Sequence, residues 1–536
     1  MSKVEKKISV LLFLLLVVVL FVNLGNQPLY MEEPRRALIA LEMILSDNYI
    51  VPIQFGSIYT SKPPLFNWVL IALFKTFNTS DEWLVRIPTV LSLLGMFLLL
   101  YVVAKKYVNQ YFAVLSAFFF AIGADILMVF SLLGEIDLFY SLITLLSLLS
   151  IFHFYQQARF WYLFIFSYTF AALGFLTKGI PSIAYLIISL IAYFIYQKNI
   201  RKLFSVQHLI GLSLFLTIVG TYFYLYHLQA DAFTYLYDLT MEARDKSTAG
   251  SFPFFAYLKH ILLFPVQTLG GIFPTSILLL FLFKTKVKAS LKANPLLAFS
   301  AIIVLSNFFL YWLSPGSRQR YIYPLYPFMN FFFVYFFLEN KQPRKIKFFH
   351  RSIVIMLCVM FFLSVSLPLI QSYEPSRELM YIQNIAYYAL GFGIGFLILL
   401  YLYSKKQKVF VLIASMLFFR LLIDIVIIPS RNSLHNKAQD EKLSAQKIAK
   451  LTKGEEVSLC WAWVSQRTAF YYTQASGKIL SHIEEKDYVK RQAGYYIIWS
   501  GAPQQLFEKQ HKSCLEFKSN NGIATQLIKL SPQEDN

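Results

Sequence analysis

Charge is scarce in this chain, and acid is scarcer than base. Of 536 residues only 15% are Asp, Glu, Lys or Arg, with 29 acids against 49 bases. A soluble 62.2 kDa protein could not cover its surface with so little charge, so a water-soluble enzyme is excluded. Cysteine is nearly absent: Cys358, Cys460 and Cys514 are the only three, which excludes a disulfide framework. Cys460 and Cys514 could pair, but their separation carries no connectivity information. The eight histidines are scattered, and no His/Cys cluster has metal-ligand spacing. No internal repeat of transporter type is visible, and residues 430–536 hold no nucleotide loop or nucleophile motif.

Apolar and aromatic residues fill the space that charge leaves. Hydrophobic residues make up 57%, with 53 Phe and 35 Tyr, and mean hydropathy is +0.55. Thirteen apolar runs are long enough to cross a hydrocarbon core of roughly 30 Å. They lie near 8–24, 85–104, 111–130, 138–155, 160–176, 180–196, 205–226, 261–283, 295–313, 321–338, 352–371, 381–403 and 409–428. Without water to satisfy backbone amides, each is expected to be a helix. The first run follows Lys3, Lys6 and Lys7 like a signal peptide, but it lacks a small-residue cleavage site and is read as a retained span.

The loops set the expected orientation. With the N-terminus cytoplasmic, the inner connections carry Lys105, Lys106, Arg159, Lys198, Arg201, Lys202, a lysine cluster at 284–292, the basic stretch 341–351 and Lys405–Lys408. This follows the positive-inside rule, so the net charge of +20 reflects topology and not nucleic-acid binding. An odd number of spans places the tail outside. The chain is thus expected in a bacterial cytoplasmic (inner) membrane, with its C-terminal region periplasmic.

On the outer side the long loops are 25–84 and 227–260. The first predicts a helix from about Pro34 to Ser46, with Ala37, Leu38, Leu41, Ile44 and Leu45 on one face, lying flat on the bilayer. A second interfacial helix is expected to start at Pro64. The fold class expected is therefore all-α and polytopic, a transmembrane domain over 1–429, followed by a small soluble α/β domain over 430–536. In that tail Glu456–Val464, Ala469–Tyr472 and Gly494–Trp499 read as strands, and Leu443–Leu451 and Pro503–Gln510 as helices. Arg420 and Asp424, the charges inside the last span, are spaced i, i+4 and are expected to pair.

Charge in the outer loops is placed among aromatics, and polar groups concentrated at one membrane boundary point to one site. Met31-Glu32-Glu33-Pro34-Arg35-Arg36 opens the first loop, and Tyr59-Thr60-Ser61-Lys62-Pro63-Pro64-Leu65 closes it. Gly134-Glu135-Ile136-Asp137, Leu176-Thr177-Lys178-Gly179 and Arg320-Tyr321-Ile322-Tyr323-Pro324 follow in order. Lys62, Arg35, Lys178, Arg318 and Arg320, with Tyr321, are candidate phosphate-binding groups, since arginine grips a phosphate with two parallel hydrogen bonds. Glu32 and Asp137 are candidate catalytic acids because they occupy the places of the important acids in the family that these motifs resemble, and Glu33, Glu135, Glu242 and Arg244 are further candidates.

These motifs resemble the bacterial aminoarabinose transferases that modify lipid A, within the protein-mannosyltransferase-like GT-C superfamily. The resemblance covers nearly the whole chain. It implies sugar transfer from a polyprenyl-phosphate donor to a lipid (lipid A-like) or protein acceptor on the outer membrane face, with membrane lipids and no nucleic acid as partners. A lipid-linked glycan polymerase or transporter is the alternative. In the aminoarabinose transferases a glutamate precedes the motif lysine and a histidine follows the second-loop glutamate, like a metal pair. Here those places are Ser61 and Ala243, which cannot hold zinc, so no metal site and no cofactor are carried over.

Overall fold

The computed structural model describes residues 1–247, 253–283, 285–373, 382–405, 408–430, 436–460, 462–483, 493–499, 511–518 and 524–530. Among these residues nine helices are long and apolar enough to cross a membrane, or eleven if each of two bent pairs is one span. The protein is a multi-pass membrane protein. The expected thirteen spans are not reached on length and composition. Lys3–Phe21 begins with a charged turn (Lys3, Glu5, Lys6, Lys7), and Pro181–Tyr196 has only 16 residues.

The bent pairs explain why two apolar runs do not read as straight helices. Gln110–Ala121 meets Asp125–Leu132 at 53°, and Phe254–Gly271 meets Thr275–Leu282 at 110°. Breaking a helix frees backbone groups that lipid cannot satisfy. The two breaks satisfy each other: Ala124 N–H donates to the Phe273 carbonyl (2.8 Å), and the Thr275 hydroxyl donates to the Phe119 carbonyl (2.9 Å). Arg420 pairs with Asp424 at 2.9 Å, as the spacing predicts. It also donates to the Leu127 carbonyl and the Ser131 hydroxyl, so the intramembrane charge fastens the last span to a bent one.

The first loop is ordered by its own chemistry. Helix Glu33–Leu45 has proline in its first turn, and helix Leu65–Phe77 starts after Pro64. Between them a hairpin pairs β1 (Ile53–Gln54) with β2 (Ser57–Ile58), turning at Gly56 with φ +70°. Helix Glu33–Leu45 does not lie flat on lipid. Ala37, Leu38, Ile39, Ala40 and Met43 are buried against Leu65–Phe77 and a C-terminal helix, while Leu45 is exposed. An amphipathic face reports that it must be covered, not by what.

The C-terminal region is a five-stranded sheet of order β4–β3–β5–β7–β6, with β3 parallel to β4 and β5, and β7 antiparallel to β5 and β6. Its strands are β3 (Val457–Leu459), β4 (Ser481–His482), β5 (Gly494–Trp499), β6 (His511–Lys518) and β7 (Ala524–Leu530). Helix Lys437–Thr452 contains the expected 443–451 run. Ala469–Tyr472 is helical and not a strand, within Gln466–Ser476. The Ser465 hydroxyl caps that helix by accepting from Thr468 N–H, and left-handed Gly477 ends it. A short apolar run buried on every side has no period to distinguish the two. The 503–510 run lies outside the described residues. Neither Cys460 nor Cys514 is in a disulfide.

Buried polar contacts lock this region to the first loop. The Tyr471 hydroxyl accepts from Leu29 N–H (2.9 Å) and donates to Glu82 (2.8 Å), and Arg467 donates to the Leu29 carbonyl (2.6 Å).

Candidate active site

The start of the site is set by a neighbour that takes no part in it. Glu33 is fully buried and forms a two-pronged pair with Arg86, Nε to Oε1 at 2.8 Å and Nη2 to Oε2 at 3.0 Å. Arg86 also donates to the carbonyls of Leu24, Gln27 and Pro28, and Glu33 accepts from the N–H groups of Tyr30 and Gly134. Every charge here is answered, which is what a buried pair requires. Gly134 is needed for the approach, because a Cβ there would sit 2.4 Å from the Val85 carbonyl oxygen. This hub ties the first loop to the Gly134–Asp137 segment.

Either side of the hub, the two segments face one cavity of about 220 Å³. All eight principal sequence candidates line it: Glu32, Asp137, Lys62, Arg35, Lys178, Arg318, Arg320 and Tyr321. Of the further candidates, Glu135 and Glu242 line it, whereas Glu33 and Arg244 do not. Seven basic side chains face four acidic ones, an excess suited to an anion.

The deep wall is a cluster of two acids and two bases. Lys178 Nζ is 2.5 Å from Asp137 and lies over the rings of Tyr140 and Tyr321. Arg320 is 2.5 Å from Glu135 and 3.7 Å from Asp137. Residues two apart cannot share a helix face. Glu135, however, is the extended residue ahead of helix Ile136–Gln156, so both carboxylates reach Arg320. One Glu135 carboxylate oxygen is buried with no hydrogen-bond partner. Burial, joined by repulsion from Asp137 and against the pull of Arg320, pushes the Glu135 carboxyl up to about 7.

The opposite wall is made where the first loop docks on helix Ala232–Ser247. Thr60 donates to Asp238 (2.6 Å), Tyr235 donates to the Lys62 carbonyl (2.8 Å), and Lys62 Nζ is 2.6 Å from Glu242. Lys246 reaches the same carboxylate from i+4. Burial pushes the Lys62 ammonium down to about 8, with Glu242 offsetting part of the loss and Lys246 adding to it. Burial acts upward on Glu242, but Lys62 and Lys246 outweigh it and hold the carboxyl below its usual value.

Glu32 differs from the other acids. It is about one-third exposed and, among the described residues, has Arg35 as its ion-pair partner, at 2.8 Å. Arg318 is exposed at the rim, and its guanidinium has no ion-pair partner among the described residues. Sequence reasoning left out Arg36, which is buried and donates to the Tyr59 hydroxyl (3.1 Å), and Lys246. The i, i+4 spacing of Glu242 and Lys246 was the available signal for the second; nothing in the sequence separates Arg36 from Arg35. Ala243 also lines the cavity, and no group of three or more His, Cys, Asp or Glu among the described residues could hold a metal ion.

Residues 61–224 match the family model described as dolichyl-phosphate-mannose-protein mannosyltransferase. No curated protein is similar enough in sequence to match. The crystal structure of ArnT from Cupriavidus metallidurans bound to undecaprenyl phosphate has a TM-score of 0.69 at 16% identity, covering 98% of this chain and 99% of that one. ArnT from the same organism in the apo state gives 0.66 at 16% identity, covering 99% and 100%. The chain therefore has the fold of ArnT over its whole length, and its residues 61–224 are similar to the protein-mannosyltransferase family.

Proposed function

We propose that this protein is an integral-membrane glycosyltransferase that moves a sugar from a polyprenyl-phosphate carrier to a lipid or protein acceptor on the outer face of the cytoplasmic membrane. The observation that carries the reading is the cavity itself: seven cations drawn from distant parts of the chain surround four carboxylates where apolar helices end. A carrier of this kind has an anionic phosphate at headgroup depth and a tail in lipid, and such a pocket suits both. The ArnT fold-mate was crystallised with undecaprenyl phosphate.

In this reading Lys62, Lys246 and Lys178 meet the carrier phosphate, with Arg318 at the entrance. Charge-assisted hydrogen bonds neutralise the phosphate as it leaves, which is where negative charge grows in the transition state. Glu32, the least engaged carboxylate, takes the proton from an acceptor hydroxyl. The acceptor oxygen then bonds to the anomeric carbon as the carbon–phosphate oxygen bond breaks, inverting the sugar. Asp137, bonded by Lys178 and near Arg320, fixes both cations. Residues 1–429 form the transferase part and 430–536 a soluble outer domain.

Mass spectrometry of lipid A and of glycoproteins from cells with and without the gene tests the assignment. Loss of one sugar mass from either class is expected, and identical spectra in both classes contradict it. The face is tested separately with cysteines at Ser57 and Asn199. An impermeant thiol reagent outside spheroplasts should label the first and spare the second; the reverse pattern moves the site to the cytoplasm.

A further inference from the structure

Beside the cavity, side-chain contacts form a seam between the first-loop hairpin and the C-terminal region. At its inner end is Arg35, which lines the cavity. The Gln466 amide oxygen, in the orientation that satisfies its neighbours, accepts from Arg35 Nη2 (3.1 Å) and Nε (3.2 Å) and from Gln54 Nε2 (3.2 Å). One residue along the hairpin, the Phe55 ring lies 5.4 Å from His482, and His482 lies 4.9 Å from Trp463. Three rings thus bridge the two regions, ending on a Trp463 that is 79% exposed.

A side chain this large and apolar is rarely left so open, and no other described tryptophan is as exposed. Partial desolvation lowers the His482 imidazole below its usual value, which favours the neutral ring. Uncharged ring faces followed by side-chain amides do not suit a phosphate or a carboxylate. They suit a sugar, whose C–H face packs on an aromatic ring and whose hydroxyls exchange hydrogen bonds with amides.

We propose that this seam is a carbohydrate subsite, in which Trp463 and His482 take a sugar ring of the acceptor while Gln54 and Gln466 hold its hydroxyls. The proposal rests on the transferase reading and deepens it: the acceptor is a glycolipid that presents a sugar beside Arg35 and Glu32, and not a bare peptide. The hairpin and the sheet form the subsite together, so neither provides it alone.

The probe is N,N′-diacetylchitobiose, a soluble neutral amino-sugar disaccharide, added to the full chain in lipid nanodiscs. Saturation-transfer NMR should show signals on the sugar ring protons with wild type. Trp463→Ala should weaken binding by about tenfold, the size of one lost stacking contact, while Trp463→Phe keeps most of it. Undecaprenyl phosphate binding, measured on the same samples, should be the same in all three and also certifies that the variants are folded. Equal sugar signals in wild type and Trp463→Ala overturn the subsite and make the tryptophan a membrane-interface anchor. Signals displaced by a peptide without sugar overturn it in favour of a peptide groove. Wild type that binds the disaccharide through Trp463 but not undecaprenyl phosphate keeps the subsite and removes the transferase reading. Carrier binding without any disaccharide signal does the reverse.

Discussion

Two adjacent glutamates have opposite surroundings. Glu33 is sealed from water and answered on both oxygens by Arg86 and backbone N–H groups. Glu32, one residue earlier, faces a cavity with Arg35 as its ion-pair partner and a third of its side chain exposed. The same contrast separates the Glu33–Arg86 hub from the Glu135–Asp137–Arg320–Lys178 cluster, where one carboxylate oxygen is left without a partner. A charge group whose valences are all filled holds the fold. One that opens on a cavity with unmatched cations is available to a ligand.

The largest effect should come from breaking the sealed side. Glu33→Ala or Arg86→Leu leaves one buried charge unanswered, at a cost of about 3–5 kcal/mol. Thermal unfolding in detergent should show a large loss of stability or no folded protein, and near-native stability would erase the distinction. On the open side, Glu32→Gln and Asp137→Asn should each slow transfer by about 10² or more with the protein still folded. Activity assays on both decide this, and near-normal rates in the two variants would remove these acids from the mechanism.

A subtler effect concerns pH. The Lys62 ammonium has its proton affinity lowered in the folded protein, to a pKa of about 8. Binding that depends on its charge is therefore present at lower pH and lost as pH rises through about 8. Undecaprenyl phosphate affinity measured from pH 6 to 9.5 should fall along that limb, and Lys62→Arg should abolish the limb because a guanidinium stays charged. A limb unchanged in Lys62→Arg would assign it to another group. The smallest effect is expected at the anchor of the C-terminal region. Lys442, paired with Glu82 at 2.5 Å and partly exposed, should cost only about 1 kcal/mol or less on change to Ala.

Much of the site could be read in the sequence because lipid makes charge expensive. Lys62, Lys178 and Arg320 stand out against apolar surroundings, and all of them meet at one cavity. The hub was less legible: Arg86 sits near the start of an apolar helix, and its partner Glu33 resembles Glu32 in every local respect. The hairpin–tail seam was invisible, since nothing local indicates that Gln54 and Gln466 meet. Helix 466–476 was misread for the reason that a buried aromatic run has no polar face to mark its period. The apolar runs 111–130 and 261–283 bend at breaks where two interrupted backbones satisfy each other, which a run of apolar residues does not mark.

The central claim is that the open cluster holds a carrier phosphate, and a direct binding measurement with undecaprenyl phosphate tests it. Wild type should bind, and Lys62→Ala should weaken binding by about 1.5–3 kcal/mol, as expected for a lost hydrogen bond to a charged group. Glu32→Gln should leave affinity largely intact, separating phosphate binding from proton transfer. Unchanged affinity in Lys62→Ala would contradict the account.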